Sequence, residues 1–181
     1  SGMDLPYAIP HFAVDHFPAE IGLPTGRWRG NADSYSAFFT ESFIDELAAY
    51  ARIEPLSFRM QMLGNHPGLA QCLSTVATLG GWQGGLRGSG QGLACHMMKG
   101  AYIAVMIEAG FANGRIAVNR MVAVADCGKL VNPGIARQQI EGGLIFGLAM
   151  ALGASPHYRR SLPAGMRLRD YGLPRLADVG D

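Results

Sequence analysis

The chain has 181 residues, a formal net charge of +1, only 16% charged residues and 25 glycines. So even a charge argues against nucleic acid or an anionic membrane as a partner, and three scattered cysteines without a C-x-x-C spacing argue against a disulfide framework, a zinc site or an iron–sulfur site in these residues. Few charges and about twice the usual glycine share lead us to expect a surface covered in its natural setting by more polypeptide, a partner or a cofactor.

Ser1-Gly2 ahead of Met3 reads as an expression remnant before an initiator methionine, so no targeting signal is inferred, and nothing selects between cytoplasm and periplasm. From Asp4 to Gly30 apolar and polar residues alternate between prolines, which predicts one or two short strands and a loop, with no helix. Phe39, Phe43, Ile44, Leu47, Ala48 and Ala51 then recur at helical spacing, with Ser34 or Ser36 available as the cap. A second helix starts at Pro55 with the stripe Leu56, Met60 and Leu63 and stops at Gly64. A third, "PGLAQCLSTVATLGG", is expected to bury Leu69, Cys72, Leu73 and Val76 and to end at Gly80-Gly81.

After Trp82 the glycine-rich "GGLRGSGQG" reads as a tight turn, because it precedes a strand where a dinucleotide fingerprint precedes a helix. "LACHMMKGAYIAVMIEAGFANGRIAVNRMVAVADCG" predicts two long strands joined at Asn113-Gly114, since both residues accept the positive φ of a tight hairpin turn. A helix follows from about Asn132, its Gly143, Gly147 and Ala151 leaving a groove free of side chains. Beyond Gly153 only a short strand near Leu168 is expected, and Arg159, Arg160, Arg167, Arg169 and Arg175 read as a solvated tail. No apolar run is long enough to span a membrane. The fold class is α+β: helices, then a long antiparallel β-hairpin, then a helix packing on it.

Familiar catalytic sets are missing: there is no G-x-S-x-G, and His96 has no histidine or carboxylate at metal spacing, so it reads as a satisfied, partly buried histidine. Asp45 and Glu46 fall on a polar helix face and read as solvated. Cys127 reads as a small buried hydrophobe, with a role beside a cofactor as the other reading. Two segments invite a ligand. In "TGRWRGNADS", Arg27 and Arg29 flank Trp28 just before a helix start, and a guanidinium beside a helix N-terminus suits phosphate or an oxo group. In "NPGIARQQIEGG", Gln139 carries a donor and an acceptor beside glycines that permit close approach.

These residues carry a resemblance. "TGRWRGNADSYSAFFTESFIDELAAYARIEPLSFRMQML" and "VADCGKLVNPGIARQQIEGGLIFGLAMALG" are similar to the molybdopterin-binding large subunit of the xanthine dehydrogenase and aldehyde oxidase superfamily, of the isoquinoline 1-oxidoreductase beta-subunit type. The similarity runs in order from about Tyr7 to Asp178. It implies that residues 1–181 are a single partial molybdopterin-binding domain: strand, loop and helices over 4–82, hairpin and helix over 83–153, and a tail over 154–181. It further implies a molybdenum hydroxylase that oxidises N-heteroaromatics or aldehydes with water as oxygen source, passing electrons to a separate iron–sulfur small subunit. Because the pterin's own sulfurs hold the metal, no protein metal ligand is implied. Matched position by position, the resemblance implies that Arg29 belongs to the cofactor-binding loop beside the molybdenum centre, that Gln139 contacts the pterin, that Gly30 and Gly142 line those contacts by their small size, and that Phe38 and Phe39 approach the substrate funnel.

The family's G-G-G-F-G loop and the G-x-G-E-P-G segment with its catalytic glutamate do not occur in these residues. No catalytic residue is therefore assigned here, and activity is expected only with the remaining part of the large subunit. A non-catalytic truncated paralogue or partner-binding module, covering its apolar surface by homo-oligomerisation, is the alternative.

Overall fold

Proline and glycine set the element boundaries in the computed structural model, which describes residues 4–20, 22, 26–86, 88–112, 114–153, 157–160, 162–164, 167 and 173. Helix α1 (Asn31–Ala51) begins after Gly30, whose φ of 84° is a left-handed conformation that glycine adopts without a Cβ penalty. The serines expected to cap it lie inside its first two turns instead, Ser34 donating from Oγ to the Asn31 carbonyl at 3.1 Å. A glycine turn replaces the cap: Asn31 N–H reaches the Trp28 carbonyl and Asp33 N–H the Gly30 carbonyl.

Helix α2 (Pro55–Met62) carries proline at its first position, as expected, and α3 (Pro67–Gly80) closes through Gly81 at φ 70° with Trp82 N–H bonded to the Ala77 carbonyl. Three strands follow: β1 (Gln91–Met98), β2 (Ala101–Ala112) and β3 (Arg115–Asp126), neighbours in that order in one antiparallel sheet. The expected pair of strands is thus corrected to three. Lys99-Gly100, both at positive φ, makes a two-residue turn that splits the first run, a turn hidden because lysine is an unusual residue there. At the next turn Gly114 has φ 76°, while Asn113 lies outside the described residues. Helix α4 (Pro133–Ala151) and the two-residue strands β4 (Tyr158–Arg159) and β5 (Leu162–Pro163) complete the order.

The chain divides into two compact units. The first, residues 1–106 and 122–127, holds α1 to α3, β1 and the base of the β2–β3 hairpin. Its core is built from one face of each element: Ile44, Leu63, Leu69, Leu73 and Val76 from the helical half, Leu93 and Cys95 from β1, Ala104 and Met106 from β2. Fully burying such a leucine contributes about 1.5–3 kcal/mol, so this cluster is the main source of stability. Two glycines let α3 approach the sheet: a Cβ at Gly68 would lie 2.7 Å from the Tyr102 ring, and one at Gly80 would collide with Met106 Sδ.

The second unit, residues 107–121 and 128–181, holds the tip of the hairpin, α4 and the paired strands β4 and β5. Its buried apolar residues include Val118, Leu148 and Ala149. Tyr158 faces Pro163 and Arg159 faces Leu162 across the small ladder, so the tail carries two short strands near 160, and Leu168 lies outside the described residues.

Several sequence expectations need correction. The described part of Asp4 to Gly30 contains no strand; Pro6 and Tyr7 are buried, and Tyr7 joins the core, pinned by Ala8 N–H donating to the Met62 carbonyl at 2.9 Å. In α1 only Ile44 and Ala48 of the expected stripe are buried, while Phe39, Phe43 and Ala51 are exposed, because the inward face follows Glu41, Ile44 and Ala48. Met60 is likewise exposed and Arg59 takes the inward place. Leu69, Cys72, Leu73 and Val76 are buried as expected.

Candidate functional site

Arg29 and Gly30 occupy the turn that opens α1. Gly30 owes its place to local geometry: positive φ, and a missing Cβ that would stand 3.1 Å from Ser34 Cβ. Arg29 and Trp28 are exposed beside this helix start. Gln139 and Gly142 lie three residues apart on α4, hence on one face, and both are exposed. A Cβ at Gly142 would meet nothing within 4 Å, so this stretch of helix offers bare backbone to the space beside it. The structure thus forms two pairs, Arg29 with Gly30 in the first unit and Gln139 with Gly142 in the second.

The start of α4 largely satisfies itself. Pro133 has no N–H, Asn132 Oδ1 accepts from Ile135 N–H at 3.1 Å, and Ala136 N–H reaches the Asn132 carbonyl. Little of the orphan donor set of a helix end remains for an anion, so a ligand here would be met chiefly by side chains such as Gln139. One turn along, Arg137 Nε and Glu141 Oε1 form an exposed pair at 2.7 Å.

The largest polar feature of the first unit went unforeseen. Arg59 is fully buried: Nε donates to Glu41 Oε2 at 3.1 Å, Nη2 to the Glu41 carbonyl at 3.2 Å, and Nη1 to Asp45 Oδ1 at 2.6 Å and the Pro55 carbonyl at 3.3 Å. Glu41 accepts in addition from Tyr7 OH at 2.6 Å and from Cys95 N–H at 2.9 Å. Every partner is matched, which is what a buried ion pair requires. Asp45 is therefore a paired residue and not merely a solvated one, while Glu46 is exposed as expected.

Burial, reinforced by the charge on Glu41, pushes the Tyr7 phenol far above its ordinary range and the Cys95 thiol up to about 12, so both stay neutral. Burial pulls Arg59 down, but the carboxylates of Glu41 and Asp45 outweigh it and hold the guanidinium charged. A signal for this network existed in the residues: Glu41 and Arg59 share the inward faces of successive helices with Ile44, Ala48, Leu56 and Leu63, and opposite charges on two such faces suggest a pair.

His96, on β1, is partly buried as expected but not satisfied: its Nε2 lies 3.4 Å from Asp33 Oδ1 in the first turn of α1. That is ion-pair range without hydrogen-bond alignment, and Nε2 has no other partner among the described residues. No local pattern could reveal it, because the two residues meet only through the packing of α1 on β1. Beside them Asp4, Ser36, Thr40, Glu41 and Cys95 line a small cleft. Cys127, expected to be buried, is exposed, whereas Cys72 and Cys95 are buried. Phe38 and Phe39 stand exposed on α1, in tilted contact with ring centroids 5.6 Å apart. Among the described residues no cluster of histidine, cysteine or carboxylates could hold a metal, and no helix is long and apolar enough to cross a membrane.

With this geometry in place, comparison with known proteins adds the following. The chain is 26% identical over 179 residues to the beta chain of isoquinoline 1-oxidoreductase from Brevundimonas diminuta, covering 96% of this chain and 23% of that protein. It is 26% identical over 191 residues to one of the subunits of nicotinate dehydrogenase from Pseudomonas putida, covering 92% of this chain and 16% of that protein. Over 81 residues, 44% of this chain and 10% of the relative, it is 40% identical to the carbon monoxide dehydrogenase large chain of Hydrogenophaga pseudoflava. The chain therefore spans a quarter or less of the length of the curated relatives it matches. A domain family described as the molybdopterin cofactor-binding domain matches residues 80–180, which include the whole sheet and α4. The chain belongs to the molybdopterin cofactor-binding domain family.

Proposed function

We propose that this chain is one section of the cofactor-binding subunit of a molybdenum hydroxylase, acting with the remaining part of the large subunit and an iron–sulfur small subunit. The observation that carries this reading is the ordered match along 96% and 92% of the chain to relatives named as subunits of an isoquinoline oxidoreductase and a nicotinate dehydrogenase. Isoquinoline and nicotinate are both N-heteroaromatics, so that class is favoured over aldehydes as substrate. Residues 1–181 are taken as one partial domain, and no catalytic group is assigned to it.

Arg29, Gly30, Gln139 and Gly142 are the proposed cofactor contacts. The residues present fit the group: Gly142 leaves open space on the α4 face that carries Gln139, as a flat pterin edge requires. Gln139 would hold that edge through its carboxamide donor and acceptor, and Gly142 would let it come close to the backbone. Arg29 would supply planar donors to an anionic or oxo-bearing part of the ligand, with the positive end of α1 behind it. When bound, the cofactor supplies the redox chemistry of the hydroxylation, and this chain's residues bind and orient it.

The test is elemental analysis of the chain produced together with the remaining large-subunit segments and the small subunit. Wild type is expected to retain molybdenum, with Arg29→Ala and Gln139→Ala each lowering it several-fold. Unchanged metal in both variants would remove those residues from the site. A wild-type complex without molybdenum would favour a partner-binding module.

A further inference from the structure

We propose that Cys72 and Cys127 form a redox site, a thiol pair that closes to a disulfide when the chain meets a hydroperoxide. Distant in the chain, the two come together through the packing of α3 on the sheet. Strands β2 and β3 are antiparallel neighbours of 12 residues each, so the end of β3 at Asp126 lies beside the start of β2 at Ala101. Helix α3 covers that same end of the hairpin, its Gly68 so close to Tyr102 that a Cβ would stand 2.7 Å from the ring. Cys72 is one turn further along on the same face of α3, buried in a core that Val122 and Val124 of β3 also pack against. Its sulfur accepts from the Asp126 N–H, and the next residue is Cys127, whose thiol is close enough to act on Cys72 electrostatically. All these residues belong to the first unit.

Exposure divides the roles. Cys127 is exposed and meets the oxidant first, while burial, followed by the charge on Asp126, pushes the Cys72 thiol up and keeps it from reacting alone. The Asp126 N–H bond works the other way, favouring the thiolate that the second step needs. With hydrogen peroxide, the Cys127 sulfur attacks one oxygen, the O–O bond breaks, water leaves, and a sulfenic acid stays on Cys127. The Cys72 sulfur then attacks that sulfur; the S–S bond forms as the S–O bond breaks, and the hydroxyl leaves as water with the Cys72 proton. Both electrons lost by the thiol pair go to the peroxide, and a dithiol reductant reverses the bond. Cys95 stays out of the exchange: it is buried, lies 3.3 Å from Tyr7 OH, and its thiol is pushed up to about 12. The bond would tie α3 to the Gly128 turn through which the chain leaves β3 for α4. Its bearing on the cofactor rests on the reading of Gln139 as a contact; the disulfide itself does not.

The test treats the reduced 181-residue chain with hydrogen peroxide and maps its disulfides by mass spectrometry of peptides cut without reduction. A link between Cys72 and Cys127 within one chain is expected, both thiols vanishing together when titrated in denaturant, Cys95 still titrating, and dithiothreitol restoring the pair. Cys127→Ser changes an exposed side chain and should abolish the loss of the Cys72 thiol. In Cys72→Ala the oxidation should stop at a Cys127 sulfenic acid, trapped by dimedone. A link from Cys72 to Cys95, links only between chains, Cys127 oxidised beside a free Cys72, loss of Cys72 in Cys127→Ser, or no oxidation at all would each overturn the proposal. Failure of the functional reading would look different: molybdenum content unchanged in Gln139→Ala, whatever the thiols do.

Discussion

Replacing Arg59 by methionine should cost the chain about 3–5 kcal/mol, the usual penalty for stranding a buried partner. The guanidinium is completely buried and makes four hydrogen bonds, to both carboxylates and to two backbone carbonyls. Bonds to charged groups contribute about 1.5–3 kcal/mol each, and those to Glu41 matter most because Asp45 can turn to water. After the change, the Glu41 carboxylate, 9% exposed, keeps only Tyr7 OH and Cys95 N–H. Methionine retains most of the apolar stem, so the loss reports the charge and not the packing. Urea unfolding followed by Trp82 fluorescence reads the effect: with a slope of about 2 kcal/mol per molar, the midpoint falls by about 1.5–2.5 M. A cycle with Glu41→Gln should show coupling of about 2 kcal/mol or more. A cost for Arg59→Met below about 1 kcal/mol, or additivity within about 0.5 kcal/mol, would refute the claim that this pair organises the first unit.

The remaining predictions concern the same scaffold. Glu54 caps α2 through Leu56 N–H, Ser57 N–H and Ser57 Oγ and also accepts from Trp82 Nε1; burial raises its carboxyl, but these bonds prevail and set it below its ordinary value. Its contribution is therefore complete above about pH 4.3 and fades as the pH falls through the lower folded value. Glu54→Ala should cost about 1–2 kcal/mol at pH 7, and its stability should converge on that of wild type in acid; a pH-independent gap would contradict the assignment. Thiol titration of the native chain should find Cys127 reactive and Cys72 and Cys95 protected, with all three reacting in denaturant. Gly80→Ala drives a Cβ into Met106 and should lower stability by about 1–3 kcal/mol, whereas Gly142→Ala meets open space and should raise it by about 0.5–1 kcal/mol while reducing molybdenum in the complete protein. A stabilising Gly80→Ala, read by thermal unfolding, would mean that α3 does not approach β2 so closely.

Much of the helical half was legible because its signals are local. Pro55, Gly81 and Asn132 mark boundaries through their own backbone preferences, and the α3 stripe of Leu69, Cys72, Leu73 and Val76 is buried as its spacing suggests. Reading failed where a local signal had a competitor. Ser34 and Ser36 are good caps, but the Gly30 turn closes the helix start first. Phe39 and Phe43 have the right spacing for a buried stripe, yet Ile44 and Ala48 claim the core and leave the aromatics outside. The Lys99-Gly100 turn was hidden because lysine carries no preference for the positive φ it adopts.

What the residues determined by themselves is the class of protein: helices followed by a sheet and a glycine-spaced helix, and a family likeness that composition alone would not have suggested. Only the tertiary structure decided which charges are buried. Glu41 and Arg59, or Asp33 and His96, are ordinary polar residues until helices and strands bring them together. The reason is physical: a backbone preference belongs to one residue and its neighbours, whereas the energy of a buried charge depends on a partner that only the completed packing supplies.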